Sequence, residues 1–177
     1  MKSGLPDRIE PIKLAQTGQT LSGQSQGAAL SRWAESSADP VRSGPVDWKA
    51  HFELRTDGAG REVTWMNLHA QAGLQLVCQR CLLPMDWHQQ LERQYRFVAT
   101  EAQALELDAD TEEDLLALDQ PLDLLALVED ELIMDLPMVP MHEECPKPVR
   151  LTTQTPDFVE APPVFSALAG LKDLKKD

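Results

Sequence analysis

Cysteine is scarce in this chain, and over one long stretch positive charge is missing altogether. Three cysteines, an odd number, do not make the disulfide framework of a small secreted domain. The opening residues contain no apolar run of the kind a secretory leader carries, and acids interrupt every leucine run before it reaches the length of a membrane span. A cytoplasmic protein without a membrane segment is therefore expected. There is no Gly-rich phosphate loop, no Gly-x-Ser-x-Gly elbow and no His-Glu-x-x-His, which removes the common signatures of nucleotide, acyl-transfer and zinc-protease chemistry. The four histidines, His51, His69, His88 and His142, are scattered.

Residues 97–146 hold 15 acids and no Lys or Arg, whereas residues 1–100 carry 11 basic and 10 acidic side chains. The net charge of −13 thus belongs to the second half. Such a surface first of all keeps the protein soluble; it also repels phosphate and suits a basic protein partner.

A length of 177 residues with 42% hydrophobic side chains supports one domain with a real core. Residues 1–26 read as an extension: Ile9, Pro11, Ile12 and Leu14 suggest a short edge strand, and the Gly/Ser/Gln stretch after Thr17 a flexible connector. A short helix over 27–37 would place Leu30, Trp33 and Ala34 on one stripe. The middle of the chain alternates with period two, the pattern of half-buried strands. Trp48, Ala50, Phe52 and Leu54 face one way, and after the Asp57-Gly58-Ala59-Gly60 turn Met66, Leu68, Ala70, Ala72, Leu74, Leu76 and Cys78 do the same. Gly73 suggests a bulge or bend in this strand. Trp87, Leu91, Tyr95 and Phe97 give a third strand. Residues 100–120 are acidic and poor in aromatics, and are expected to be mobile. A helix over 123–136 follows, capped by Asp123 and ended by Pro137, with Leu125, Val128, Leu132 and Ile133 toward the sheet. The segment 146–177 reads as a Pro-rich tail ending in a short amphipathic helix. The expected architecture is α+β: an antiparallel meander packed by one main helix, a core domain over 27–145, and acidic and Pro-rich appendages.

The chemistry-bearing residues are few. Cys78 and Cys81 form a Cys-x-x-Cys, and His142 and Cys145 repeat the spacing about sixty residues later. Two such pairs can supply the four convergent ligands of a tetrahedral Zn²⁺ site. The alternatives are a core thiol at Cys78, which continues the apolar alternation, and a free loop thiol at Cys145. A thioredoxin-like role fits poorly, because that chemistry places the motif at a helix N-terminus and here it ends a strand. Lys49, Arg55 and Arg96 on the outer sheet face, with Arg80 at its edge, are candidate RNA contacts, although the aromatics are expected on the other face. Glu129, Asp130 and Glu131 are candidate contacts for a basic partner. As consecutive helical positions they point in different directions, which disfavours a catalytic carboxylate pair.

Cys78-Gln79-Arg80-Cys81 after a long strand, followed by the block at 123–142 with its Pro137 and Pro140, resembles the bacterial YceD family of large ribosomal RNA subunit accumulation proteins. The likeness extends to Leu5-Pro6 with Pro11 near the start and to Phe165-Ser166-Ala167-Leu168-Ala169-Gly170-Leu171-Lys172 at the other end. The resemblance implies a cytoplasmic, non-enzymatic factor for synthesis, processing or stability of large-subunit (23S) rRNA, with no catalytic residue and no small-molecule substrate. It also implies a second cysteine-containing pair after the Pro-x-x-Pro segment, where this chain has His142 and Cys145. Whether the factor touches rRNA itself or works through a basic ribosomal protein or assembly factor stays open, with the charge split favouring the second route. The rivals are an rRNA-processing nuclease and a zinc-stapled interaction module.

Overall fold

A computed structural model of the chain describes residues 9–39, 43–109 and 111–147. The proposed Pro-rich tail beyond residue 147, with its terminal helix, lies outside the described residues. Five strands form one sheet in the order β1-β2-β3-β4-β5: β1 Thr20–Ser25, β2 Val46–Thr56, β3 Glu62–Val77, β4 Pro84–Val98 and β5 Asp114–Ala117. The first three pairings are antiparallel and β4–β5 is parallel. The helices are α1 Pro11–Gln16, α2 Ser31–Glu35, α3 Glu101–Leu107 and α4 Leu124–Met134, with a 3₁₀ turn at Gly27–Ala29 before α2. This is an α+β fold with α4 as its longest helix.

The alternation read from the sequence sets the two sheet faces. Trp48, Ala50 and Phe52 of β2, the even-numbered residues Met66 to Leu76 of β3, and Leu91, Tyr95 and Phe97 of β4 are buried together. Over them lie Ile9, Ala15, Leu30 and Trp33, with Leu124, Val128 and Leu132 of α4. Each fully buried side chain of this size contributes roughly 1.5–3 kcal/mol. The buried stripe of α4 starts one residue earlier than expected: Leu124 is buried, while Leu125 and Ile133 are half-buried. Asp123 caps the helix as anticipated, accepting from the Ala126 N–H at 3.0 Å.

Several segments acquire more order than their composition suggested. The run from Pro11 is helical rather than extended, because a proline at the first helical position lacks only an N–H that would be unpaired anyway. The expected connector contains β1, paired along β2 from Thr20↔His51 to Ser25↔Val46. Gly23 is required there, since a Cβ would stand 2.6 Å from the Trp48 ring. Gly73 makes no bulge; it pairs in continuous register with His88, whose ring covers the place a side chain would take. The acidic stretch 100–120 folds into α3, capped by Thr100, and β5. A parallel neighbour needs a crossover, and the segment containing α3 supplies it. Leu116 and Leu118 pack against the core and anchor the stretch despite its charge.

Polar contacts between α4 and its neighbours are specific. Glu131 is buried at 5% exposure, accepting from the Tyr95 hydroxyl at 2.5 Å and the Arg93 guanidinium at 2.9 Å. Gln89, also buried, accepts from the Trp33 indole and donates to the Leu132 carbonyl. The Glu129 carboxylate accepts from the backbone N–H groups of Arg32 and Trp33, so it caps α2 from a different helix. Arg32 in turn pairs with Glu129 and Asp130.

Arg93→Ala would leave the Glu131 carboxylate buried with its charge unmatched, and is expected to cost about 3 kcal/mol in denaturant unfolding. A loss under 1 kcal/mol would mean the ion pair is not a structural lock. Burial, then the adjoining Glu131 carboxylate, holds the Tyr95 hydroxyl protonated far above its ordinary range. The folded protein therefore keeps a proton that the unfolded chain releases near pH 10. This contribution is complete below about pH 10 and is lost as the pH rises further. Unfolding free energies between pH 8 and 11 should fall more steeply for the wild type than for Tyr95→Phe.

Candidate metal centre

The hairpin of β3 and β4 runs past the end of β2 and closes on Cys78-Gln79-Arg80-Cys81. Cys78 is the last inward residue of the β3 alternation, fully buried. Its N–H donates to the Leu83 carbonyl at 3.0 Å, and the Leu82 N–H returns to the Cys78 carbonyl at 2.9 Å, closing a tight knuckle. Leu82 completes the turn at φ 59°, a left-handed conformation that costs a non-glycine residue about 1–2 kcal/mol.

The chain leaving α4 is stopped by Pro137 and runs back to this knuckle. The Gln79 N–H donates to the Pro140 carbonyl at 2.8 Å, which delivers His142 and Cys145 to the two cysteines. The ligand atoms of Cys78, Cys81, His142 and Cys145 all lie within 4.8 Å of one another. Cys78 Sγ and Cys145 Sγ are 4.0 Å apart, and Cys81 Sγ is 3.4 Å from His142 Nδ1. A tetrahedral zinc ion with ordinary bond lengths has ligand–ligand edges of about 3.8 Å for two sulfurs and about 3.6 Å for sulfur and nitrogen. The four residues fit a metal ion, with Nδ1 as the histidine donor. Among the described residues they are the one group of three or more potential ligands that converges.

The surroundings favour thiolate at Cys78. Burial pushes the Cys78 thiol up, but N–H groups of Cys81, His142 and Arg80 outweigh it and bring it down to about 5. Cys81 moves the other way, raised by burial and by the sulfurs of Cys145 and Cys78 against one N–H from Leu83. Arg80, from inside the Cys-x-x-Cys, reaches across: its Nε donates to Cys145 Sγ at 3.1 Å and its Nη2 to the carbonyls of His142 and Glu143 at 2.6 and 3.2 Å. One guanidinium thus clamps the second ligand pair onto the first, a role its sequence position did not announce.

The other candidate residues are largely engaged within the fold. Arg55 pairs with Glu53, donates to Asn67 and Gln94, and lies 4.4 Å over the Trp65 ring. Hydrogen bonds from Arg55, then Asn67, hold the Glu53 carboxyl below its usual range. Trp65 is the exception to the expectation that every strand aromatic faces the core, but Arg55 covers it. Arg96 lies near Glu113 at 4.0 Å, and Arg80 is held at the knuckle. Of the four candidate RNA contacts, only Lys49 is exposed and free of these engagements. Glu129 and Asp130 hold Arg32, and Glu131 is buried against Arg93 and Tyr95. The sheet, the helix and the four-ligand cluster stand together over the region where a family comparison is decisive. The family profile for "Large ribosomal RNA subunit accumulation protein YceD" matches residues 66–175.

The chain belongs to the YceD family. It is 30% identical over 176 residues to the protein named Large ribosomal RNA subunit accumulation protein YceD from Haemophilus influenzae, covering 97% of this chain and 98% of that relative. No solved structure gives a significant match. The matched region includes both halves of the candidate metal centre, most of the long hairpin of β3 and β4, and α4.

In this YceD-family protein, purification without chelators is expected to yield about one metal ion per chain by elemental analysis. Cys78→Ser or Cys81→Ser should abolish that stoichiometry, and a wild-type content far below one would remove the metal centre. Arg80→Ala should retain the ion but weaken its hold about 10- to 100-fold in competition with a chromophoric chelator.

Proposed function

We propose that the protein is a non-enzymatic ribosome-biogenesis factor that supports synthesis, processing or stability of large-subunit (23S) rRNA in the cytoplasm. It acts through contact with a basic ribosomal protein or assembly factor. Family membership along nearly the whole chain carries the reading, since the relative is named for large ribosomal RNA subunit accumulation. Support for the protein-mediated route comes from the basic side chains. Among the described residues, Arg55 and Arg80 are engaged by groups of the chain itself and Arg96 lies 4.0 Å from Glu113, so these three candidates offer little free positive charge to phosphates. The excess of acid beyond residue 96 suits a cationic partner.

In this reading the Cys₃His cluster is a Zn²⁺ site, because three soft sulfurs and an imidazole at tetrahedral spacing favour that ion. Its four ligands leave no open coordination position for substrate, so the ion ties the hairpin to the chain after α4. The nuclease alternative needs acids converging on a divalent cation. Glu129, Asp130 and Glu131 instead turn to Arg32, Arg93 and Tyr95, which weighs against it.

Cells lacking the protein should accumulate less 23S rRNA, and Asp130→Asn should restore the level as well as wild type does. If that variant instead keeps its fold but loses precursor cleavage, the nuclease alternative replaces this one. Affinity-purified protein should keep at least one basic large-subunit protein or assembly factor after nuclease treatment. Loss of all ribosomal material on nuclease would defeat the protein-mediated route.

A further inference from the structure

Exposed apolar side chains are unevenly placed. Eight large ones stand out among the described residues, and five lie within four positions of a metal ligand: Val77, Leu82, Met138, Val139 and Met141. Met138 is 95% exposed and Leu82 73%, so neither contributes to the core. The hydrogen bond from Gln79 to Pro140 ties the 138–141 segment to the knuckle that carries Leu82, so the two exposed apolar segments adjoin within the described residues. Leu82 is doubly unusual. Its backbone is left-handed, where glycine or asparagine is the unstrained choice, yet the chain places a large apolar side chain there and turns it to solvent. Neither packing nor turn geometry asks for leucine at this position, which leaves contact with something outside the chain.

The charge around this tip indicates what that something is. Among the described residues, Glu143 and Glu144 are exposed beside it, with Lys147 as the exposed lysine nearest in sequence, while Arg80 is occupied by Cys145 and two carbonyls. Three thiolates outweigh a divalent ion by one negative charge, so a filled centre adds to the acidity. An apolar surface with an acidic surround repels phosphate and attracts cationic side chains set among apolar ones. Methionines suit that task, since their flexible thioethers adapt to different partner shapes.

We propose that the tip formed by the metal knuckle and the 138–141 segment is the docking surface for a cationic amphipathic segment of a protein partner. This deepens the protein-mediated route proposed above and rests on it. The partner's apolar residues cover Leu82, Met138 and Met141, and its lysines or arginines meet Glu143 and Glu144. The metal centre acts here as the rigid mount that holds the two apolar segments side by side.

The test uses full-length, zinc-loaded protein and the RNA-free proteins of the large ribosomal subunit as probe. A photoreactive phenylalanine analogue replaces Leu82, Met138 or, on the exposed outer face of β4, Gln90. Crosslinks to a basic protein from positions 82 and 138 and not from 90 are expected. The combined variant Leu82→Asn, Met138→Ser, Met141→Ser should bind that protein at least 10-fold more weakly with metal content and melting temperature unchanged; asparagine relieves the backbone at 82, so a weakened fold would not mimic the effect. If wild type binds but crosslinks only from position 90, or the combined variant binds equally well, the surface is wrong while the ribosomal reading stands. Crosslinking of added 23S rRNA rather than protein at 82 and 138 also overturns it. Failure of the wild type to bind any of these proteins removes the protein-mediated route and the docking surface together.

Discussion

A buried carboxylate organises the packing of helix on sheet. Glu131 sits among Val128, Leu132 and the inner sheet face, where an unpaired charge would cost several kcal/mol. Its two oxygens are taken by Tyr95 and Arg93 of β4, which fixes the rotation of α4 and its position along the strand. The neighbouring acids extend the same constraint. Glu129 reaches the N-terminus of α2 and, with Asp130, Arg32; Gln89 joins Trp33 to the end of α4. A five-residue helix such as α2 would be marginal by itself, and these contacts from α4 hold it in place.

The second constraint follows from the length of the hairpin. Beyond the pairing of Asp47 with Gln71, β3 has no strand on its β2 side among the described residues, and a two-stranded arm is weak in water. Its open edge is met by N–H groups from the preceding loop: Gly44 donates to the Gly73 carbonyl and Ala38 to the Gln75 carbonyl. The far end is closed by the Cys₃His cluster with its Arg80 clamp. The rotation of α4 determines where Pro137 releases the chain, and so where His142 and Cys145 arrive.

Charge takes on a different meaning once partners are visible. A basic outer face and an acidic helix suggested opposite binding surfaces, yet Arg32, Arg55, Arg80 and Arg93 all find acceptors within the chain. Among the described residues, the groups left open to solvent include Lys49, part of the acid excess and the apolar side chains beside the candidate metal ligands.

Much of the fold was legible from periodicity. The inward residues of β2, β3 and β4, the Asp123 cap and the stop at Pro137 follow from local rules, because side-chain direction in strands and capping chemistry are set by near neighbours. The paired Cys-x-x-Cys and His-x-x-Cys spacings marked the four candidate ligands, since each pair is local in sequence. Less visible were β1, β5, α1 and α3, whose polar or mixed sequences are ordered by long-range pairing and by contacts such as Gly23 against Trp48. Polar residues at inward strand positions, Gln89 and Arg93, were the available sign of a buried network with α4. The sequence by itself thus determined which residues could face inward and which could bind metal. Only the tertiary structure decided that Arg80 bridges the two ligand pairs, that the acids of α4 are locks rather than a free surface, and that the 138–141 segment is tied to the knuckle at Gln79. Those outcomes depend on which groups, far apart in the chain, are brought within hydrogen-bonding distance, and no local pattern encodes that.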